Sequence, residues 1–239
     1  EPGKMFLVDM EAGRIIQDEE IKKQVCDSKP YRQWLNEKQV HFSDIPYKKE
    51  AAPTEDLDSK TRQQIFGYTQ EDIKKLLLPM GQGGAEAIGS MGTDTPLAVL
   101  SDRPQLVYNY FHQLFAQVTN PPLDGIREEL VTDLSLSLGA DHNLFSHGAE
   151  HCRKLSIQNP ILSDEDMVKL KSLDQDDLRA TVIPMLYPIA GGSEALEKAL
   201  DGIIAAGAKA VDAGKTILIL SDRGVSKEMA PIPSLLAAS

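Results

Sequence analysis

Ala180-Thr181-Val182-Ile183-Pro184-Met185-Leu186-Tyr187, followed after one amphipathic stretch by Lys215-Thr216-Ile217-Leu218-Ile219-Leu220, sets the fold class. The first segment is rich in β-branched and aliphatic residues and reads as a strand, turned by Gly191-Gly192. Ser193 and Glu194 then start a helix. Its stripe is Leu196, Leu200, Ile203, Ile204, Gly207, Ala210 and Val211. Gly207 on that stripe reads as a point of close packing, and Gly214 as the C-terminal stop. The second segment is apolar throughout, as expected of a strand buried on both faces. Strand, helix and strand in this order assemble as a right-handed βαβ unit, so the expected class is α/β with parallel strand–helix units.

Working upstream, Leu220-Ser221-Asp222-Arg223 repeats an earlier Leu100-Ser101-Asp102-Arg103. Both copies follow apolar runs and are expected at strand ends. In α/β folds the carboxyl ends of strands form the functional edge, which makes Ser101, Asp102, Arg103, Ser221, Asp222 and Arg223 candidate site residues. The same groups would also serve as caps and ion pairs. Leu97 to Leu100 is expected to be a short buried strand, and Gln105 to Val118 a long amphipathic helix with Leu106, Tyr110, Leu114 and Val118 inward. Next comes Thr119-Asn120-Pro121-Pro122-Leu123-Asp124, where two prolines fix φ and Asn120 is pushed towards an extended conformation. A rigid turn is expected there. Ile126, Leu130, Leu134 and Leu138 have the spacing of one further helix. Ser163-Asp164-Glu165-Asp166 caps a helix facing inward through Met167, Leu170 and Leu173.

Before these lies a glycine-rich loop, Gly81 to Gly92. Its spacing is neither that of a P-loop nor that of a dinucleotide fingerprint, and no lysine follows. A structural loop is therefore favoured over a phosphate cradle. Thr69-Gln70-Glu71-Asp72 resembles a capping box for a helix carrying Ile73, Leu76 and Leu77, which Pro79 is expected to end. From 40 to 58 the chain is polar, with Pro46 and Pro53, and reads as a linker. A domain boundary is placed near Ile45, dividing 1–45 from 46–239. Within the first part, Met5 to Met10 reads as a strand and Glu11 to Arg14 as a tight turn. Two short helices follow, the second with Tyr31, Trp34 and Leu35 on one face.

The net charge of −11 argues against a nucleic-acid partner or an anionic membrane surface. Hydrophobic residues make up 41% but aromatics only 5%, so the core must be aliphatic. Cys26 and Cys152 stand apart, without the CxxC spacing that zinc or iron–sulfur ligation uses. His112 is a lone imidazole, and His142, His147 and His151 lie in a glycine- and serine-containing stretch that makes a poor metal site. No run approaches the ~20 apolar residues of a membrane span. Glu1-Pro2-Gly3 begins without Met, and Leu235 to Ser239 follow closely on a strand signal, which reads as a piece of a longer polypeptide.

Pro79-Met80 through Leu97-Ala98-Val99-Leu100-Ser101, Tyr110-Phe111 through Pro121-Pro122, and Ile217 to Arg223 resemble the central domain of the glutamate synthase large chain, alpha or ferredoxin-dependent form. Pro2 to Asp9 and Gly13-Arg14-Ile15 are similar to the tail of that family's glutamine amidotransferase domain. The resemblance spans nearly the whole chain. It implies an incomplete barrel-like central domain behind a short N-terminal segment. It also implies a parent enzyme that hydrolyses glutamine, passes ammonia through a tunnel to 2-oxoglutarate and reduces the product on FMN, with an iron–sulfur cluster. FAD would lie on a partner subunit in the NADPH form. The nucleophilic cysteine would lie upstream, and the FMN barrel and cluster cysteines downstream. The piece itself is expected to hold no cofactor, metal or catalytic residue and to be inactive alone. The implied partners are the remaining domains and either ferredoxin or a small NADPH-oxidising subunit, in the cytoplasm or plastid stroma. Thr119, Asn120, Pro121, Pro122 and Leu123 match the segment that the family uses at the tunnel, which makes them candidate wall residues. The competing readings are a flavin- or phosphate-binding α/β barrel enzyme and a general interaction module.

Overall fold

The computed structural model describes residues 3–47, 57–88, 96–111, 115, 118 and 122–239. The hairpin β1 (Leu7–Asp9) and β2 (Arg14–Ile16) leads into α1 (Asp18–Asp27), α2 (Tyr31–Lys38) and β3 (Val40–His41). After α3 (Ser59–Ile65), a π-helical turn over Asp72–Leu77 runs into α4 (Leu78–Gly83). Then come α5 (Gly125–Val131), β4 (Leu136–Leu138), β5 (Leu155–Ile157), α6 (Asp164–Lys171) and β6 (Asp174–Gln175). The last third holds β7 (Leu178–Pro184), β8 (Leu186–Pro188), α7 (Gly192–Asp212), β9 (Ile217–Ser221), β10 (Met229–Pro231) and α8 (Ser234–Ala238). Two compact units are present: one draws on residues up to 51, 118–182 and 207–219, the other on 52–117, 183–206 and 220–239.

In the first unit, β5 is central to a three-stranded sheet, pairing parallel to β3 and antiparallel to β4. Its Leu155 and Ile157 alternate with Ser156, which turns both apolar side chains to one face; Leu155 is 0% exposed. They pack with Ile45, Leu170, Leu173, Leu178, Ala180, Ile217 and Ile219 in one core. α6 starts on the expected capping box, in which the Ser163 hydroxyl accepts the Asp166 N–H and Asp166 accepts the Ser163 N–H. α7 ends as expected in a Schellman motif: Gly214 has φ +79°, its N–H donates to Val211 O, and Lys215 N–H donates to Ala210 O. In the hairpin, the Asp9 carboxylate accepts the N–H groups of Glu11 and Ala12, which makes the turn.

In the second unit, Ile183, Met185, Ile203 and Ile232 form the core, with Leu196, Leu200 and Leu220 packed against it. β8 and β10 pair antiparallel through Tyr187 and Ala230. The Thr69–Asp72 capping box forms as read, with both reciprocal bonds present. Gly67 is required where it stands: its φ is +73°, and the Leu106 side chain fills the space a Cβ would need.

Several expectations are corrected. Among the described residues the sheets have two or three strands each, and no barrel closes. Parallel pairing does occur. It joins β3 to β5, and also β7 to its neighbour β9, because Thr216 N–H donates to Arg179 O and Met185 N–H to Ser221 O, advancing the same way on both strands. β9 is less fully buried than its apolar run suggests: Ile217 and Ile219 are buried, while Leu218 is 39% exposed and Leu220 is half-buried. Ala98–Leu100 is a 3₁₀ turn instead of a strand, with Val99 and Leu100 each 72% exposed. The expected helix over Gln105 to Val118 is replaced, where described, by a 3₁₀ turn at Val107–Tyr110. Leu134 and Leu138 do not continue α5, since Asp133 accepts the Ser135 N–H in a turn that stops it. Pro79 does not end its helix: the wide turn before it, with Leu78 N–H on Ile73 O, relieves the clash with the preceding turn, and the helix runs on to Gly84 in the left-handed conformation.

Three cap carboxyls lie below their ordinary value of 3.8: Asp58 through the Thr61 N–H, Asp72 through the Thr69 hydroxyl and Asp166 through the Ser163 hydroxyl. A lowered native pKa means the unfolded chain binds more protons near that value, so this stabilisation is complete above it and lost as pH falls through the native values. Urea midpoints should therefore drop as pH falls below about 4, and Ser163→Ala should lower the neutral-pH midpoint and flatten that acid slope; a midpoint independent of pH there contradicts the assignment. A Cβ on Gly207 would meet only Leu218, at an ordinary 3.8 Å, so close packing does not require glycine. Gly207→Ala should stabilise by up to about 1 kcal/mol, and Gly67→Ala should destabilise by about 1–2 kcal/mol; thermal melts of both variants check the signs.

Candidate functional site

The repeated Leu-Ser-Asp-Arg sequence has a repeated local structure. Ser101 Oγ accepts the Arg103 N–H at 3.2 Å, and Ser221 Oγ accepts the Arg223 N–H at 3.3 Å. Each hydroxyl thereby closes a turn two residues long. Ser101 also receives the Gln105 side-chain amide at 3.1 Å. Only the second copy ends a strand, since Ser221 is the last residue of β9. Asp102 is exposed, whereas Asp222 is half-buried.

Asp222 lines a cavity of about 330 Å³ in the second unit. Its walls are apolar and aromatic, with Phe66, Leu106, Met185 and Ile232 among them. Tyr108 and Ser234 lie on its rim, hydrogen-bonded to each other, and the Tyr108 oxygen also accepts the Leu235 N–H at 3.3 Å. The Ser234 bond draws the Tyr108 phenol below its usual value. Tyr187, on β8, is also part of the lining. Neither this cavity nor its aromatic groups are marked in the sequence by any short motif, because residues 66, 108, 187, 222 and 234 converge only on folding.

The proline turn enters the described residues at Pro122, while Thr119, Asn120 and Pro121 lie outside them. Pro122 and Leu123 are exposed and lead into Asp124, the N-cap of α5. The Asp124 carboxylate accepts the N–H groups of Ile126 and Arg127 and pairs with the Arg127 guanidinium at 3.0 Å. Local bonds therefore hold the exit of the turn. Beyond it, Ile126 and Leu130, one helical turn apart on α5, are 67% and 78% exposed.

The histidine stretch contains a pair that sequence spacing did not reveal. The rings of His142 and His151 stand perpendicular with centroids 5.7 Å apart, and His142 Nε2 is buried without a partner. His151 Nε2 lies 2.9 Å from Ser146 Oγ and 3.8 Å from Glu150 Oε1. A serine nucleophile relay needs its acid on the far ring nitrogen. Here hydroxyl and carboxylate share one nitrogen, so the arrangement is a clasp rather than a relay. Among the described residues no group of three or more His, Cys, Asp and Glu is disposed to hold a metal. Gly81 and Gly83 are helical, so they supply no phosphate-cradling loop; Gly89 and Gly92 lie outside the described residues. No helix among the described residues is long and apolar enough to cross a membrane.

Residues 61–239 match the glutamate synthase central domain family, and residues 1–34 match the class-II glutamine amidotransferases. The chain is 46% identical over 239 residues to the glutamate synthase [NADPH] large chain of Bacillus subtilis, covering all of this chain and 15% of that protein. It is 35% identical to ferredoxin-dependent glutamate synthase 2 of Synechocystis, covering 99% of this chain and 15% of the relative. Against the chloroplastic ferredoxin-dependent glutamate synthase of spinach the identity is 36%, with 99% of this chain and 15% of that protein covered. The chain thus spans about 15% of the length of these relatives. On the strength of the match over 61–239, this chain belongs to the glutamate synthase family, with those residues in its central domain and 1–34 in the amidotransferase domain that precedes it.

Proposed function

We propose that this chain is a non-catalytic connector of a glutamate synthase, joining a glutaminase site to a reductive synthase site and lining the path that ammonia takes between them. The observation that carries the reading is the order of the two family matches, amidotransferase over 1–34 and central domain over 61–239, on one continuous chain. The stretch between them contains Ile45, which supports a boundary dividing 1–45 from 46–239. The parent reaction converts L-glutamine and 2-oxoglutarate reductively into two L-glutamate. Its FMN and iron–sulfur cluster belong to other segments of the parent, and its electrons come from ferredoxin or an NADPH-oxidising subunit.

A connector must offer apolar surface to its neighbours. Phe6 and Met10 beside the β1–β2 hairpin are 75% and 84% exposed, and Ile126 and Leu130 on α5 are similarly uncovered. Large exposed apolar side chains in groups are the usual mark of an interaction surface. A conduit for neutral ammonia further needs rigid walls without an acid that would trap ammonium. Thr119, Asn120, Pro121, Pro122 and Leu123 contain no titratable side chain, and a proline ring fixes φ at two of these five positions. The Ser101–Arg103 and Ser221–Arg223 corners are turn-forming on this reading, with no catalytic part.

The test uses a complete glutamate synthase chain carrying this segment. Asn120→Ala or Leu123→Asp should leave glutamine hydrolysis running while glutamate formation falls behind it severalfold, and supplied ammonium should restore synthesis. Equal stoichiometry of the two reactions in both variants overturns the tunnel assignment.

A further inference from the structure

We propose that the cavity at the end of β9 binds an organic ammonium group, with the Asp222 carboxylate as counter-ion and aromatic side chains around its apolar body. Nothing in the connector reading requires this site. Asp222 is half-buried and lines the cavity, yet among the described residues it makes no hydrogen bond or ion pair. A carboxylate partly removed from water without a partner is destabilising, and a cation placed beside it removes that penalty. The polar side chains that share the lining are neutral hydroxyls already engaged elsewhere: Tyr108 and Ser234 bond each other, and Tyr108 also accepts the Leu235 N–H.

The walls decide what kind of cation fits. Phe66, Tyr108 and Tyr187 all line the cavity, and aromatic faces attract alkylammonium groups through the ring quadrupole. Met185 and Ile232 add apolar surface with no donor or acceptor. At about 330 Å³ the cavity is large for an inorganic cation and at the small end for an organic ligand. A metal ion is poorly served by a single carboxylate. The combination selects a cationic nitrogen on a compact apolar or aromatic body.

Benzylamine is the probe, and benzyl alcohol is its neutral counterpart of nearly equal shape. The 239-residue chain, labelled at methionine and isoleucine methyls, is titrated with each and followed by NMR. Benzylamine should shift the Met185 and Ile232 methyl signals to saturation, with benzyl alcohol weaker by about tenfold or more, the loss expected for one charge-assisted bond. Asp222→Asn should weaken benzylamine to the level of the alcohol without changing the alcohol itself. Absence of a saturable shift with benzylamine overturns the proposal, as does equal binding of amine and alcohol by the unmodified chain, a comparison that holds even where the variant fails to fold.

Discussion

Burial along β7 is the constraint on which both cores depend. Leu178 and Ala180 enter the first core, and Ile183 enters the second. The buried set passes from even positions, 178 and 180, to the odd position 183, residues that alternation places on opposite faces of the strand. β9 has the same division of labour, with Ile217 and Ile219 in one core and Leu220 against the other. Two small cores of aliphatic residues result, in keeping with the low aromatic content.

The parts of this fold that were legible in the sequence are those with local physical causes. The boxes Ser163–Asp166 and Thr69–Asp72 each satisfy orphan helix donors within four residues, so their composition suffices to place them. Gly214 was legible as a stop because only a residue tolerant of positive φ closes the Schellman turn. The misreadings share another cause. An apolar run cannot say what covers it, so Val99 and Leu100 read as a buried strand and are instead exposed. Leu134 to Leu138 fits helix and strand spacing alike, and the Asp133–Ser135 turn decides for β4.

The candidate site divides in the same way. The repeated Ser-Asp-Arg corners were visible as a repeat, and the hydroxyl-to-amide bond two residues on explains why serine recurs. What lies beside the second corner was not visible, since its cavity gathers side chains from well-separated stretches of the chain. The perpendicular pair His142 and His151 likewise depends on a fold that brings together two residues nine positions apart. In the proposed connector role, the chain contributes a stiff turn without titratable side chains at 119–123, while bond-making is assigned to other segments of the parent.

Native-state hydrogen exchange on this chain tests most directly whether β7 organises it. Four amides report on the strand: Ala180, bonded to Leu173 O; Thr216, bonded to Arg179 O; Met185, bonded to Ser221 O; and Ile232, bonded to Met185 O. These four should rank among the slowest to exchange, far slower than the amides of the exposed β1–β2 hairpin. Exchange of the Ala180 and Met185 amides as fast as those of the hairpin would contradict the account.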